Sequence, residues 1–192
     1  MKRIVLLISF LAFLGLCASA QTYIDFHQMP LAATPTLMPD FYPEEMSLYW
    51  DNFYYVTPGL WSAEGRGFWV DPATKHNTVA FIGGPLCTLA VPCNGSIKMS
   101  QIMMNPVNKT FAPISMSISA GWMPNKVIVT AYNNSKFVGR LVWQLTTKPQ
   151  TFSFPAAWNI TQLVFTPEFT PSNSVNPKAG SMVVYSFVLM EH

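Results

Sequence analysis

FAPISMSISAGW (Phe111–Trp122), NKVIVTAYNNSKFVGRLVWQLTT (Asn125–Thr147) and QTFSFPAAWNITQLVFTPEF (Gln150–Phe169) together make the longest run of strand-type sequence in the chain. In its centre Val127, Val129 and Ala131 alternate with Ile128, Thr130 and Tyr132, a period of two that sends successive side chains to opposite faces of a strand. Asn133-Asn134-Ser135-Lys136 then turns the chain into Phe137–Thr146, which is again β-branched and aromatic. This pattern predicts a hairpin.

Outward from this stretch, sixteen prolines fall at short intervals. Each removes a backbone donor and disfavours helix at the preceding residue, so no long window for a helix is left. Short strands separated by turn signals are expected at Thr22–Phe26, Met46–Val56, Gly67–Val70, Thr78–Ile82, Ser96–Met104, Ser115–Ala120, Val127–Tyr132, Phe137–Thr146, Thr151–Phe154, Gln162–Thr166 and Ser181–Met190. Met29–Pro43 and Thr166–Lys178 read as loops between them. The class is all-β, a two-sheet antiparallel β-sandwich. The closing strand, apolar on both faces, is expected in a central position.

The order F…S…S.SAGW, VIVTAYN, a second strand, TFSFPAAWNITQLVFTP and a closing MVVYSFVL resembles a family of secreted β-sandwich domains of galactose-binding-like jelly-roll topology. Such domains occur in bacterial sorted surface proteins and in fungal and other eukaryotic secreted proteins. Upstream, Ile24-Asp25-Phe26, Trp50–Tyr55 and Asn77–Phe81 resemble the same family's earlier strands, so the likeness covers most of residues 21–192. It implies a fold and no settled activity. The closing strand carries Tyr185-Ser186 where that family commonly has Asp-Asn, so no metal or polar site is implied there.

Residues 1–20 read as a secretory signal: Lys2 and Arg3, the apolar run Ile4–Leu16, then Ala18-Ser19-Ala20 as a cleavage site. Residues 21–192 are then expected to form one domain, without a membrane span. Lys2 and Arg3 take two of the eleven basic residues, leaving nine against nine Asp and Glu. A net charge near zero without Lys/Arg clusters predicts no nucleic-acid partner. An extracellular location favours a bond between Cys87 and Cys93, worth about 2 kcal/mol in the chain-entropy model. A zinc half-site would need nearby His or Cys partners, and a redox pair is usually spaced C-x-x-C. Sequons at Asn94, Asn108, Asn133 and Asn159 point to N-glycosylation in a eukaryotic secretory pathway.

Catalytic and cofactor motifs are missing. There is no Gly-x-Ser-x-Gly elbow, phosphate loop or dinucleotide fingerprint, and His27, His76 and His192 are far apart. No cofactor or metal is expected. Asp25, Asp51, Glu64 and Asp71 could form a glycosidase-type pair only if the fold assembled one. Aromatics are the unusual resource, with six Trp and seven Tyr and a dense cluster from Tyr49 to Trp69. Most rings belong in a core, but this cluster holds more than one core face absorbs. Exposed rings beside polar groups suit sugar binding, because a ring face covers apolar C–H patches while donors fix hydroxyls. The expected binding residues are Trp61, with Arg66 and Glu64 as hydroxyl partners, and Tyr54 and Trp69. The contact is expected there and not from the Phe111–Phe165 sheets. The leading reading is a non-catalytic extracellular module for a carbohydrate or a cell-surface protein partner. A structural matrix or wall protein is the alternative, and a carbohydrate-active enzyme comes third.

Overall fold

A computed structural model of the chain describes residues 20–46, 48–60, 77–82, 94–99, 109–121, 124–168 and 182–192. Among the described residues there is no helix, and twelve strands form two antiparallel sheets. They are β1 (Gln21–Asp25), β2 (Thr36–Leu37), β3 (Leu48–Asp51), β4 (Tyr54–Val56), β5 (Val79–Ile82), β6 (Gly95–Met99), β7 (Phe111–Ala120), β8 (Asn125–Asn133), β9 (Lys136–Leu145), β10 (Gln150–Ser153), β11 (Gln162–Glu168) and β12 (Met182–Glu191). One sheet runs β10-β7-β12-β5-β4-β2, with β1 also paired to β12; the other runs β3-β6-β11-β8-β9. This is the expected two-sheet antiparallel sandwich.

The two faces packed together supply the core. Ile24, Met116, Ile118, Val184, Phe187 and Leu189 from the seven-stranded sheet meet Leu48, Trp50, Ile97, Val127, Val129, Leu163 and Phe165 from the five-stranded one, all buried. Cross-strand pairing is possible in these positions because alternation puts every second residue inward. The closing strand β12 is central, between β7 on one side and β1 and β5 on the other. A bulge between Val184 and Ser186 shifts its register by one residue. The extra residue, Tyr185, lets Phe187 and Leu189 return to the core after Met182 and Val184 have faced it. On the outer side of this sheet Val56, Val79, Phe81 and Val183 form a second buried cluster, flanked by Tyr54 and Tyr185.

Two expectations about elements are corrected. Met46–Val56 is not one strand: Asn52 takes a left-handed conformation with φ 59° and breaks it into β3 and β4, which lie in opposite sheets. Asparagine tolerates that conformation better than other residues with a Cβ. The surplus of rings is thereby relieved, since Trp50 and Phe53 both turn into the core. Met29–Pro43, read as loop, contains the short edge strand β2. The strands expected at Gly67–Val70 and in the second half of Ser96–Met104 lie outside the described residues, as do Cys87 and Cys93.

Candidate functional site

The hairpin of β8 and β9 turns through Asn134 and Ser135, both at positive φ (46° and 66°), as a two-residue turn requires. Leu163, Phe165, Val127, Val129 and Ala131 face inward, so Gln162, Val164, Thr166, Ile128, Thr130 and Tyr132 must face outward. Together with β3, β6 and β9 they make a solvent-facing surface on the five-stranded sheet. An irregular register between Ala131 and Tyr132 sets Phe137 opposite Tyr132 while Gly139 stays opposite Ala131. Gly139 has no room for a side chain, because a Cβ there would stand 2.8 Å from Cζ2 of the buried Trp158.

Cross-strand partners on this face form a continuous row. Tyr49 opposes Lys98, Lys98 opposes Gln162, Gln162 opposes Tyr132 and Tyr132 opposes Phe137. Phe41 extends the row by an isolated bridge to Tyr49. An aromatic pair therefore stands at each end: Phe41 and Tyr49, with ring centroids 6.3 Å apart at 63°, and Tyr132 and Phe137, at 6.4 Å and 77°. Lys98 and Gln162 occupy the middle. Four inter-strand steps make the five-strand part of the row roughly 19 Å long. The neighbouring row is Asp51, Ser96, Val164, Thr130 and Arg140. Asp51 holds Lys98, Nζ to Oδ2 3.0 Å, and accepts from the Ser96 hydroxyl at 3.4 Å. Phe137 is 65% exposed and Val142 51%, an unusual openness for large apolar side chains on a strand.

The other named residues fall elsewhere. Tyr54 lies on the outer side of the opposite sheet, half-buried against Phe81 at 6.0 Å, so it and the row are on opposite sides of the sandwich. Trp61, Glu64, Arg66 and Trp69 lie outside the described residues. Asp25 and Asp51 do not meet: Asp25 ends β1 in the seven-stranded sheet and accepts from the His27 backbone N–H at 3.0 Å, whereas Asp51 is held by Lys98 in the other sheet. Among the described residues no three His, Cys, Asp or Glu side chains gather as a metal cluster would require. Asn94 and Asn159 are exposed outside strands; Asn133 ends β8 and its amide donates to the Asn159 carbonyl at 3.0 Å. Asn108 is outside the described residues.

A cleft of about 450 Å³ opens between the turn after β1 and residues 42–45, with Met29, Leu37, Tyr42 and Tyr55 as walls and Glu44 and Glu45 at its side. The Tyr42 hydroxyl donates to the Asp25 carbonyl at 2.6 Å. Burial, then the charges of Asp25 and Glu45, push its pKa up to about 12. Tyr42 is thus a neutral structural donor here, which supplies no proton at ordinary pH.

Sequence reasoning missed Phe41, Lys98, Gln162, Tyr132, Phe137 and Arg140. The parity of Tyr132 and the expected turn over Asn133–Lys136 were available, and with Asn134 and Ser135 at its tip they place Phe137 next to Tyr132.

No protein-family model matches the chain, and no curated protein does. Among solved structures it is similar to a family two carbohydrate esterase from Cellvibrio japonicus, at 7% identity and a TM-score of 0.39 over 90% of this chain and 33% of that one. This chain thus spans about a third of that esterase's length. It is also similar to the family 29 carbohydrate-binding module CBM29-2, at 9% identity and a TM-score of 0.39 over 90% and 92% of the two chains. A third is the family 32 module of C. perfringens NanJ in complex with galactose, at 10% identity and a TM-score of 0.36 over 88% and 92%. Likeness this faint carries no argument about the present chain, whose fold and site rest on its own residues.

Proposed function

We propose that this chain is a secreted, non-catalytic glycan-binding module whose ligand lies across the strands of the five-stranded sheet. The observation that carries the reading is the row with an aromatic pair at each end and Lys98 and Gln162 between them. Ring faces cover the C–H patches of sugar rings, and the amide, ammonium and hydroxyl groups between them meet sugar hydroxyls. The length of the row suits an oligosaccharide of several units rather than a single sugar. Rigid strands position these groups before the ligand arrives, which lowers the ordering cost of binding. Secretion rests on residues 1–20, and N-glycans at Asn94, Asn108, Asn133 and Asn159 and a Cys87–Cys93 disulfide belong to the same reading. Tyr54, Trp61, Glu64, Arg66 and Trp69 are proposed as further glycan contacts.

A glycan-array screen of residues 21–192 would find the ligand class, and calorimetry on two variants would test the surface. Tyr132→Ala/Phe137→Ala is expected to weaken binding at least about tenfold, from two stacked rings worth on the order of 1 kcal/mol each, with its melting transition kept. Full affinity in that variant together with loss in Trp61→Ala would move the site to Trp61 and those further contacts.

A further inference from the structure

Resting on the reading that this face holds a glycan, we propose that its ligand is anionic, bearing carboxylate or sulfate groups, and that Arg140 selects it at the Tyr132–Phe137 end. The chain's near-neutral total conceals a segregation. Residues 72–167 contain no Asp or Glu, while Lys75, Lys98, Lys109, Lys126, Lys136, Arg140 and Lys148 fall within them. Residues 21–65 hold Asp25, Asp40, Glu44, Glu45, Asp51 and Glu64 and no Lys or Arg. Strands β8 and β9 come wholly from the acid-free stretch. Among the described residues only Asp51 and Glu168 bring carboxylates to the outer face of that sheet, and each closes on a lysine, Lys98 and Lys126 respectively.

Those two pairs cancel locally. Arg140 and Lys136 are exposed, and among the described residues no carboxylate forms an ion pair with either. The placement of Arg140 ties its positive charge to the row. Thr130 opposes Arg140 two residues along β8 from where Tyr132 opposes Phe137, and Asn133 opposes Lys136 just beyond. Residues 130 and 132 share a face, so the Arg140 guanidinium stands beside the ring pair, whereas Asn133 and Lys136 have the opposite parity. A planar guanidinium presents paired donors that match a carboxylate or sulfate. A sugar stacked on Tyr132 or Phe137 would carry its acidic group within reach of Arg140.

The test is titration calorimetry of residues 21–192 at low and physiological salt with three probes: heparin oligosaccharides, oligogalacturonate and cello-oligosaccharides. Single-stranded oligodeoxythymidine serves as a fourth, because rings beside cations also suit nucleic acid. The proposal expects one of the two acidic glycans to bind best, with affinity falling as salt rises. It expects Arg140→Gln to weaken that binding about tenfold or more without moving the melting temperature, and Arg140→Lys to recover part of it. Equal affinity for the neutral glycan with Arg140→Gln unaffected would overturn the anionic selectivity and leave the glycan reading standing. Absence of binding to any glycan, here and on the array, would overturn both. Tighter binding of the oligodeoxythymidine than of every glycan would overturn the proposal in favour of nucleic acid.

Discussion

Trp50 shows how one residue joins the two sheets. It is 2% exposed, donates its indole N–H to the Tyr42 carbonyl at 2.7 Å, and sets its rings edge-on to Phe26, Phe53 and Phe187 at 5.6, 5.1 and 6.5 Å. Trp50→Ala is expected to cost about 3–5 kcal/mol, the range for truncating a buried Trp, and chemical denaturation would measure it. Titration makes a second prediction at this scale. Burial lifts the Tyr185 pKa to about 12, against a smaller lowering by its hydrogen bond to Ser119, and Tyr42 reaches about 12 as well. A phenol whose folded pKa is raised above its unfolded value near 10 favours the folded state fully below pH 10. That contribution is lost as pH rises through about 12. Alkaline absorbance titration followed alongside circular dichroism should therefore show stability falling from about pH 10 upward, with these two phenols ionising late. All seven tyrosines titrating together near 10 in an intact fold would contradict it.

The elements were largely legible because alternation and turn residues are local signals. The β8–β9 hairpin and the central β12 follow from Val127–Tyr132, Asn133–Lys136 and the apolar closing strand. The break of Met46–Val56 at Asn52 was not legible, because nothing near it except one asparagine distinguishes a left-handed residue from a continuing strand. Its cause lies in the tertiary structure: the split lets Trp50 in β3 and Phe53 in the connection to β4 enter one core. Close approaches between elements were equally hidden. Gly139 in β9 lies under Trp158, and Gly95 in β6 under Ile82 and Phe53, where added Cβ atoms would stand 2.8 Å from Trp158 Cζ2 and 2.6 Å from Ile82 Cδ1. Gly139→Ala is expected to destabilise by about 1–3 kcal/mol, as overpacking does, because a rigid indole yields less readily than the end of an isoleucine. Thermal unfolding of Gly139→Ala beside Gly95→Ala would show which contact is the tighter.

For the molecule as a whole, the site was harder to read than the fold. Aromatic density drew attention to Tyr49–Trp69, but density does not tell which rings a core absorbs, and Trp50 and Phe53 went inward. The open row instead joins Phe41, Tyr49, Lys98, Gln162, Tyr132 and Phe137 from four separated parts of the chain, an assembly that depends on strand order and register. Summing the charge over the chain likewise hides the contrast between its acidic first part and its acid-free middle. The most direct measurement is a nuclear magnetic resonance titration of residues 21–192 with an oligosaccharide found on the array. The account predicts shift changes concentrated on Tyr49, Lys98, Gln162, Tyr132 and Phe137; changes confined to Tyr54 and residues 57–69, with that row undisturbed, would contradict it.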